Sequence, residues 1–193
     1  MRIKRVKKLK KKNLFMGMIK VIKKILLGIL CLIAIGIAFI VYEEVTYSPL
    51  NQDDFQKLFK EFNGSFRKSC SKDFIGLSIH GEIFDMYRYK MKGAIIMDKD
   101  FPKITKWENK EIIDEYVVGK WKNCPLDFKT RELYEDVLAS GNLDNVKCCK
   151  SLKKELLNPQ NHYCYIDFAW KGRYFLLYCT DSQELYYIRK KGC

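Results

Sequence analysis

The sequence predicts an α+β protein: a single N-terminal transmembrane helix, then one extracytoplasmic domain with an antiparallel sheet and two to three packed helices. Three observations predict this. Charge is segregated to one end, an uncharged run follows it, and the remainder alternates between helical stripes and strand-like runs.

The net charge of +13 belongs to the N-terminus. Residues 1–24 carry eleven cations and no acid, leaving 25 of the 36 cations against all 23 acids in residues 43–193. The folded part is therefore nearly neutral. A nucleic-acid binder needs a basic stripe on its folded surface, and here the lysines are scattered, so nucleic acid is not expected as a partner. Residues 1–20 read as a basic cytoplasmic tail suited to anionic lipid headgroups.

Residues 21–42 read as the transmembrane helix. The uncharged stretch Ile25–Tyr42 lacks any polar face, as expected of a helix in a lipid bilayer. Lys23 and Lys24 can snorkel to one interface, and Tyr42 and Tyr47 suit the other. Eleven cations precede the helix, whereas Lys57 and Lys60 are the cations that follow it through Phe62. Positive charge stays in the cytoplasm, so the C-terminal domain is expected outside. Gly36-Ile37-Ala38 offers small residues for leader cleavage, but the apolar run continues through Phe39, Ile40 and Val41. Cys31 follows a bulky Leu30 where lipoprotein processing wants a small residue, so it reads as a buried apolar side chain.

Residues 43–52 form a linker, broken at Ser48-Pro49. The domain then spans 53–193. Its first helix is capped by Asp53 or Asn51, carries Phe55, Leu58, Phe59 and Phe62 at helical spacing, and ends at Asn63-Gly64. From Phe74 to Met97 the pattern is of strands. Ile83, Asp85, Tyr87, Tyr89 and Met91 share one face; Phe84, Met86, Arg88 and Lys90 share the other. Residues 104–121 fit helix or strand. Two helices follow, at about 128–140 and about 143–157, the second closed by Asn158-Pro159. The C-terminal third reads as a three-stranded meander over His162–Trp170, Arg173–Cys179 and Gln183–Arg189. A two-residue turn at Lys171-Gly172 would set Cys164 opposite Cys179.

Cysteines carry the sharpest local expectation. In an oxidising compartment they should pair. The hairpin register offers Cys164–Cys179. Cys70 and Cys124 would then each bond one of the adjacent Cys148 and Cys149, which pairing being open, with Cys193 odd. A zinc site from Cys148, Cys149, His162 and Cys164 has the right ligand types but poor spacing, and no CxxC exists for redox chemistry.

No catalytic signature emerges. Gly76-Leu77-Ser78-Ile79-His80-Gly81 places His80 where a nucleophile elbow needs glycine. Carboxylates such as Asp85, Glu108, Glu111, Asp114 and Glu115 sit among lysines as on a solvated face. No cofactor motif is present. Tyr163, Tyr165, Tyr174, Tyr178, Tyr186 and Tyr187 are either core or a surface for a partner. The expectation is a membrane-anchored interaction module with a protein partner; the alternatives are an envelope enzyme built from distant residues and a thiol or zinc protein.

Overall fold

A computed structural model of the protein describes residues 22–42, 46–76, 81–93, 95–104, 106–107, 110–111, 116–139, 146–168 and 172–192. The chain divides into two units, Met1–Ser48 and Pro49–Cys193. In the first, α1 (Ile22–Tyr42) is the helix among the described residues that is long and apolar enough to cross a membrane. Its 21 residues span about 31 Å at the α-helical rise, close to the thickness of a hydrocarbon core.

The second unit opens with α2 (Gln52–Leu58). Asn51 caps it: its side chain accepts from the Asp54 amide at 3.0 Å, and the Asp54 carboxylate accepts from the Asn51 amide at 3.2 Å. This reciprocal box satisfies two of the donors that a helix start leaves open. At the other end, the Trp121 indole donates to the Leu58 carbonyl at 2.7 Å and the Lys103 amide to the Lys57 carbonyl at 2.9 Å. Phe55, Leu58, Phe59 and Phe62 are all essentially fully buried. Each such side chain contributes roughly 1.5–3 kcal/mol of hydrophobic stabilisation.

The sheet has six antiparallel strands in the order β1-β2-β8-β7-β6-β5. These are β1 (Ser65–Asp73), β2 (Ile83–Lys92), β5 (Val117–Asn123), β6 (His162–Asp167), β7 (Arg173–Cys179) and β8 (Glu184–Lys191). A separate two-residue pair, β3 (Lys106–Trp107) with β4 (Lys110–Glu111), lies in the stretch that fitted helix or strand. Of the strand-like stretch that was expected to run to Met97, Ile96 makes an isolated bridge with Lys60. Helices α3 (Phe128–Ala139) and α4 (Leu152–Leu157) complete the unit.

Both faces of the sheet are covered. One core joins α2 and Phe62 to Tyr87, Tyr89, Cys164, Leu176, Tyr178 and Tyr187. Phe59 stacks on Trp121 at 5.3 Å and meets Tyr178 edge-on at 5.2 Å. The other core joins Tyr134 of α3 and Leu152 of α4 to Met86, Tyr163, Phe175, Leu177 and Tyr186. The tyrosines are therefore core: Tyr163, Tyr174, Tyr178, Tyr186 and Tyr187 are buried, and Tyr165 is half-buried.

Several elements differ from the sequence reading. Strand β6 ends at Asp167 and β7 begins at Arg173, and between them the Phe168 amide donates to the Gly172 carbonyl at 2.9 Å. Cys164 consequently stands opposite Leu176, and Tyr163 opposite Leu177. The shift is odd, so Cys164 and Cys179 fall on opposite faces, in different cores. Of the helix expected over 143–157, the described residues 146–157 are helical from Leu152 on. Before it the chain makes tight turns, with Cys149 donating to Val146 and Leu152 to Cys149. Strand β1 was not anticipated.

Helix α3 starts on Asp127. Its carboxylate accepts from the Thr130 amide at 2.7 Å, the Lys122 ammonium at 2.7 Å and the Tyr163 hydroxyl at 3.0 Å. Lys122 first, then the Thr130 amide, hold the Asp127 carboxyl well below the usual carboxylate range. Its stabilisation is thus full above the unfolded value near 4 and is lost as pH falls toward the folded one. Asp127→Ala should cost about 1 kcal/mol at neutral pH, a typical cap loss. Melting curves from pH 7 to 3 should show the gap to wild type closing below about pH 4. A gap independent of pH would show that the charge is irrelevant.

Candidate functional site: a basic cleft at the open end of the β1–β2 hairpin

The β1–β2 pairing ends at Ser65–Lys92, and the backbones approach closely just beyond it. A Cβ at Gly64 would collide with the Lys92 carbonyl oxygen, and one at Gly93 would reach 2.8 Å from the Gly64 Cα. Gly93 also holds φ +108, where glycine is favoured. This pinch sets the end of the sheet, and beside it lies a cleft of about 300 Å³ lined by Ser65, Phe66, Arg67, Lys90 and Lys92.

Register places the charges. Arg67 stands directly opposite Lys90, and Ser65 opposite Lys92. All four residues are exposed. Directly opposed side chains have Cβ atoms about 4.5–5.5 Å apart, where like charges destabilise a sheet. Lysines on an edge strand are the ordinary device against edge-to-edge aggregation. That accounts for cations on β1, which is an edge, but not for Lys90 and Lys92 on β2, which lies between β1 and β8.

Further along the same face, Arg88 lies over the Tyr186 ring at 5.9 Å, its Nη1 3.9 Å from Glu184. Its buried Nε has no hydrogen-bond partner among the described residues. Glu184 also stands opposite Lys90 across β8. Arg67, Lys90, Lys92 and Arg88 against this one carboxylate leave a local net of +3.

The sequence-predicted residues are distributed as follows. Cys70 and Cys148 form a disulfide with Cα atoms 5.6 Å apart, tying β1 to the turns before α4. Cys164 and Cys179 are separate buried thiols, and Cys124 is a third, which corrects the expected Cys164–Cys179 bond and the bond expected at Cys124. Cys149 lies outside the disulfide, its Sγ 3.6 Å from Met86 Sδ. Cys148 and Cys149 belong to one core and Cys164 to the other, so the sheet separates the residues of the zinc reading. Burial, with the nearby Glu155, pushes the Cys124 thiol up to about 11 and Cys179 higher still. Such thiols are poor nucleophiles at neutral pH. His162 is half-buried, and burial lowers its pKa. Ser78, His80, Glu108, Asp114, Glu115 and Cys193 lie outside the described residues, as does the Glu111 side chain.

Asp85 is not on a solvated face. It is 7 % exposed and forks with Arg189, itself 5 % exposed, through Nε at 2.8 Å and Nη2 at 2.5 Å. The Tyr87 hydroxyl donates to the same carboxylate at 2.9 Å. Alternation along β2 put Asp85 with apolar residues, and that was the readable sign of burial. No family model matches the chain, and neither does any curated protein or solved structure.

Proposed function

We propose that the chain is a single-pass membrane protein whose basic tail lies in the cytoplasm against anionic headgroups and whose domain, outside, is a disulfide-stapled binding module. The Cys70–Cys148 disulfide carries this reading, because such bonds persist in oxidising compartments. The apolar helix α1 and the excess of cations before it agree. Binding, rather than catalysis, fits the cleft. Arg67, Lys90 and Lys92 offer positive charge and hydrogen-bond donors to a bound group. The partner engages the β1–β2 end of the sheet.

Protease added to right-side-out vesicles should remove the domain and spare the tail and helix; a protected domain would sink the orientation. Alkylation in denaturant without reductant should modify Cys124, Cys149, Cys164 and Cys179 and leave Cys70 and Cys148 untouched. Modification of the latter two in freshly isolated membranes would sink the stapling.

A further inference from the structure

We infer that the cleft between Arg67, Lys90 and Lys92 is a binding site for a multivalent oxyanion of the phosphate-ester type. This rests on the binding-module reading and names the chemistry of what is bound. Three exposed cations, two of them directly opposed across strands, share one concave site. Among the described residues no carboxylate lies within ion-pair distance of any of the three; Glu184 stands opposite Lys90 across β8 and lies 3.9 Å from Arg88. Cross-strand repulsion of this kind is relieved when an anion sits between the charges. A single carboxylate would leave two cations unmatched. A phosphate ester carrying up to two charges leaves at most one cation in excess, and its three acceptor oxygens can each take a donor, with Arg67 offering a planar fork, the lysines point charges, and Ser65 a hydroxyl. A lipid headgroup and a soluble phosphate ester present the same chemistry here.

The test uses the full chain in phosphatidylcholine nanodiscs, titrated calorimetrically with inorganic pyrophosphate at constant ionic strength. Saturable binding of one pyrophosphate per chain is expected, weakened about tenfold or more by Arg67→Gln or Lys90→Gln, as loss of a charge-assisted bond requires. Lys129→Gln and Lys150→Gln, exposed elsewhere on the domain, should leave it unchanged. Both cleft variants replace exposed side chains, and circular dichroism melts will verify that they fold. Lys92→Gln gives a third, independent reading. Three results would overturn the inference: no saturable binding, equal loss in the control variants, or loss only when the lysines of residues 1–12 are neutralised. Binding of a hexaglutamate peptide without pyrophosphate binding would also overturn it, in favour of an acidic protein partner. Repeating the titration in phosphatidylglycerol discs assigns the source. Weakened pyrophosphate binding there marks the headgroup as competitor, and unchanged binding marks a soluble ester. If pyrophosphate fails to bind while Cys70 and Cys148 prove oxidised in membranes, the anion assignment falls and the anchored module stands.

Discussion

Cys70→Ala lowers the unfolding free energy of the domain by about 3–5 kcal/mol, the range for losing a disulfide that closes a long loop. The two cysteines are 78 positions apart, so the cross-link removes much of the entropy of the unfolded chain. Domains of this size are stable by roughly 5–15 kcal/mol in total, so the change is a large fraction. The location adds to it. Strand β1 pairs with β2 alone, and Cys148 lies in non-helical turns ahead of the six-residue α4. Without the bond, each is held by one neighbour fewer. Cys70 is the informative position, because replacing Cys148 would leave Cys149 beside it as a substitute partner. Urea titrations followed by circular dichroism should show the drop in Cys70→Ala, and reductant should lower wild type to the same midpoint while leaving the variant unmoved. Coincident midpoints of wild type and variant without reductant would refute the claim.

The same region shows what a sequence can and cannot disclose. The start of α2 was legible because its information is local, a cap at Asn51 and buried Phe55 and Leu58, but the helix stops at Leu58, short of the Asn63-Gly64 end expected, and Phe59 and Phe62 are buried beyond it. The two faces of β2 were legible for the same reason, with Tyr87, Tyr89 and Met91 in one core and Met86 in the other. Strand β1 was not, since Arg67, Lys68, Ser69 and Lys72 conceal its alternation; a charged edge strand is built to look unlike a strand. The β6–β7 register was misread for a different reason. Nearly every residue of β7 is buried, on both faces, so the apolar pattern could not distinguish one register from its neighbour. The observed register goes with the Phe168–Gly172 hydrogen bond rather than with a turn at Lys171-Gly172. The cleft escaped notice because it depends on cross-strand pairing: Arg67 and Lys90 are distant in sequence and adjacent only once β1 meets β2.

Arg189→Met destabilises the domain by about 3–5 kcal/mol, because it strands a buried carboxylate. Asp85 has few alternatives. Across β1 it faces Asp73, another acid, whose carboxylate is occupied by the Ile75 and Gly76 amides. Across β8 it faces Arg189, which is opposed on its other side by Tyr174. The Tyr87 hydroxyl is the remaining donor to Asp85, and it also lies 3.3 Å from Arg189 Nη2. Asp85→Leu should cost a similar amount by leaving a buried guanidinium. The two losses are not additive, since each removes the same pair. Asp85→Leu, Tyr87→Phe and Arg189→Met together remove the carboxylate, hydroxyl and guanidinium that bond one another here, and that triple variant should return to within about 1–2 kcal/mol of wild type, or exceed it. Urea titration of the two single variants and the triple variant measures the difference. If the triple variant is as unstable as the sum of the two single losses, the pair contributes net stability by itself. If it recovers, its contribution is to register: a one-residue slip of β2 against β8 would bury both charges apart, a state the native pairing at Asp85–Arg189 excludes.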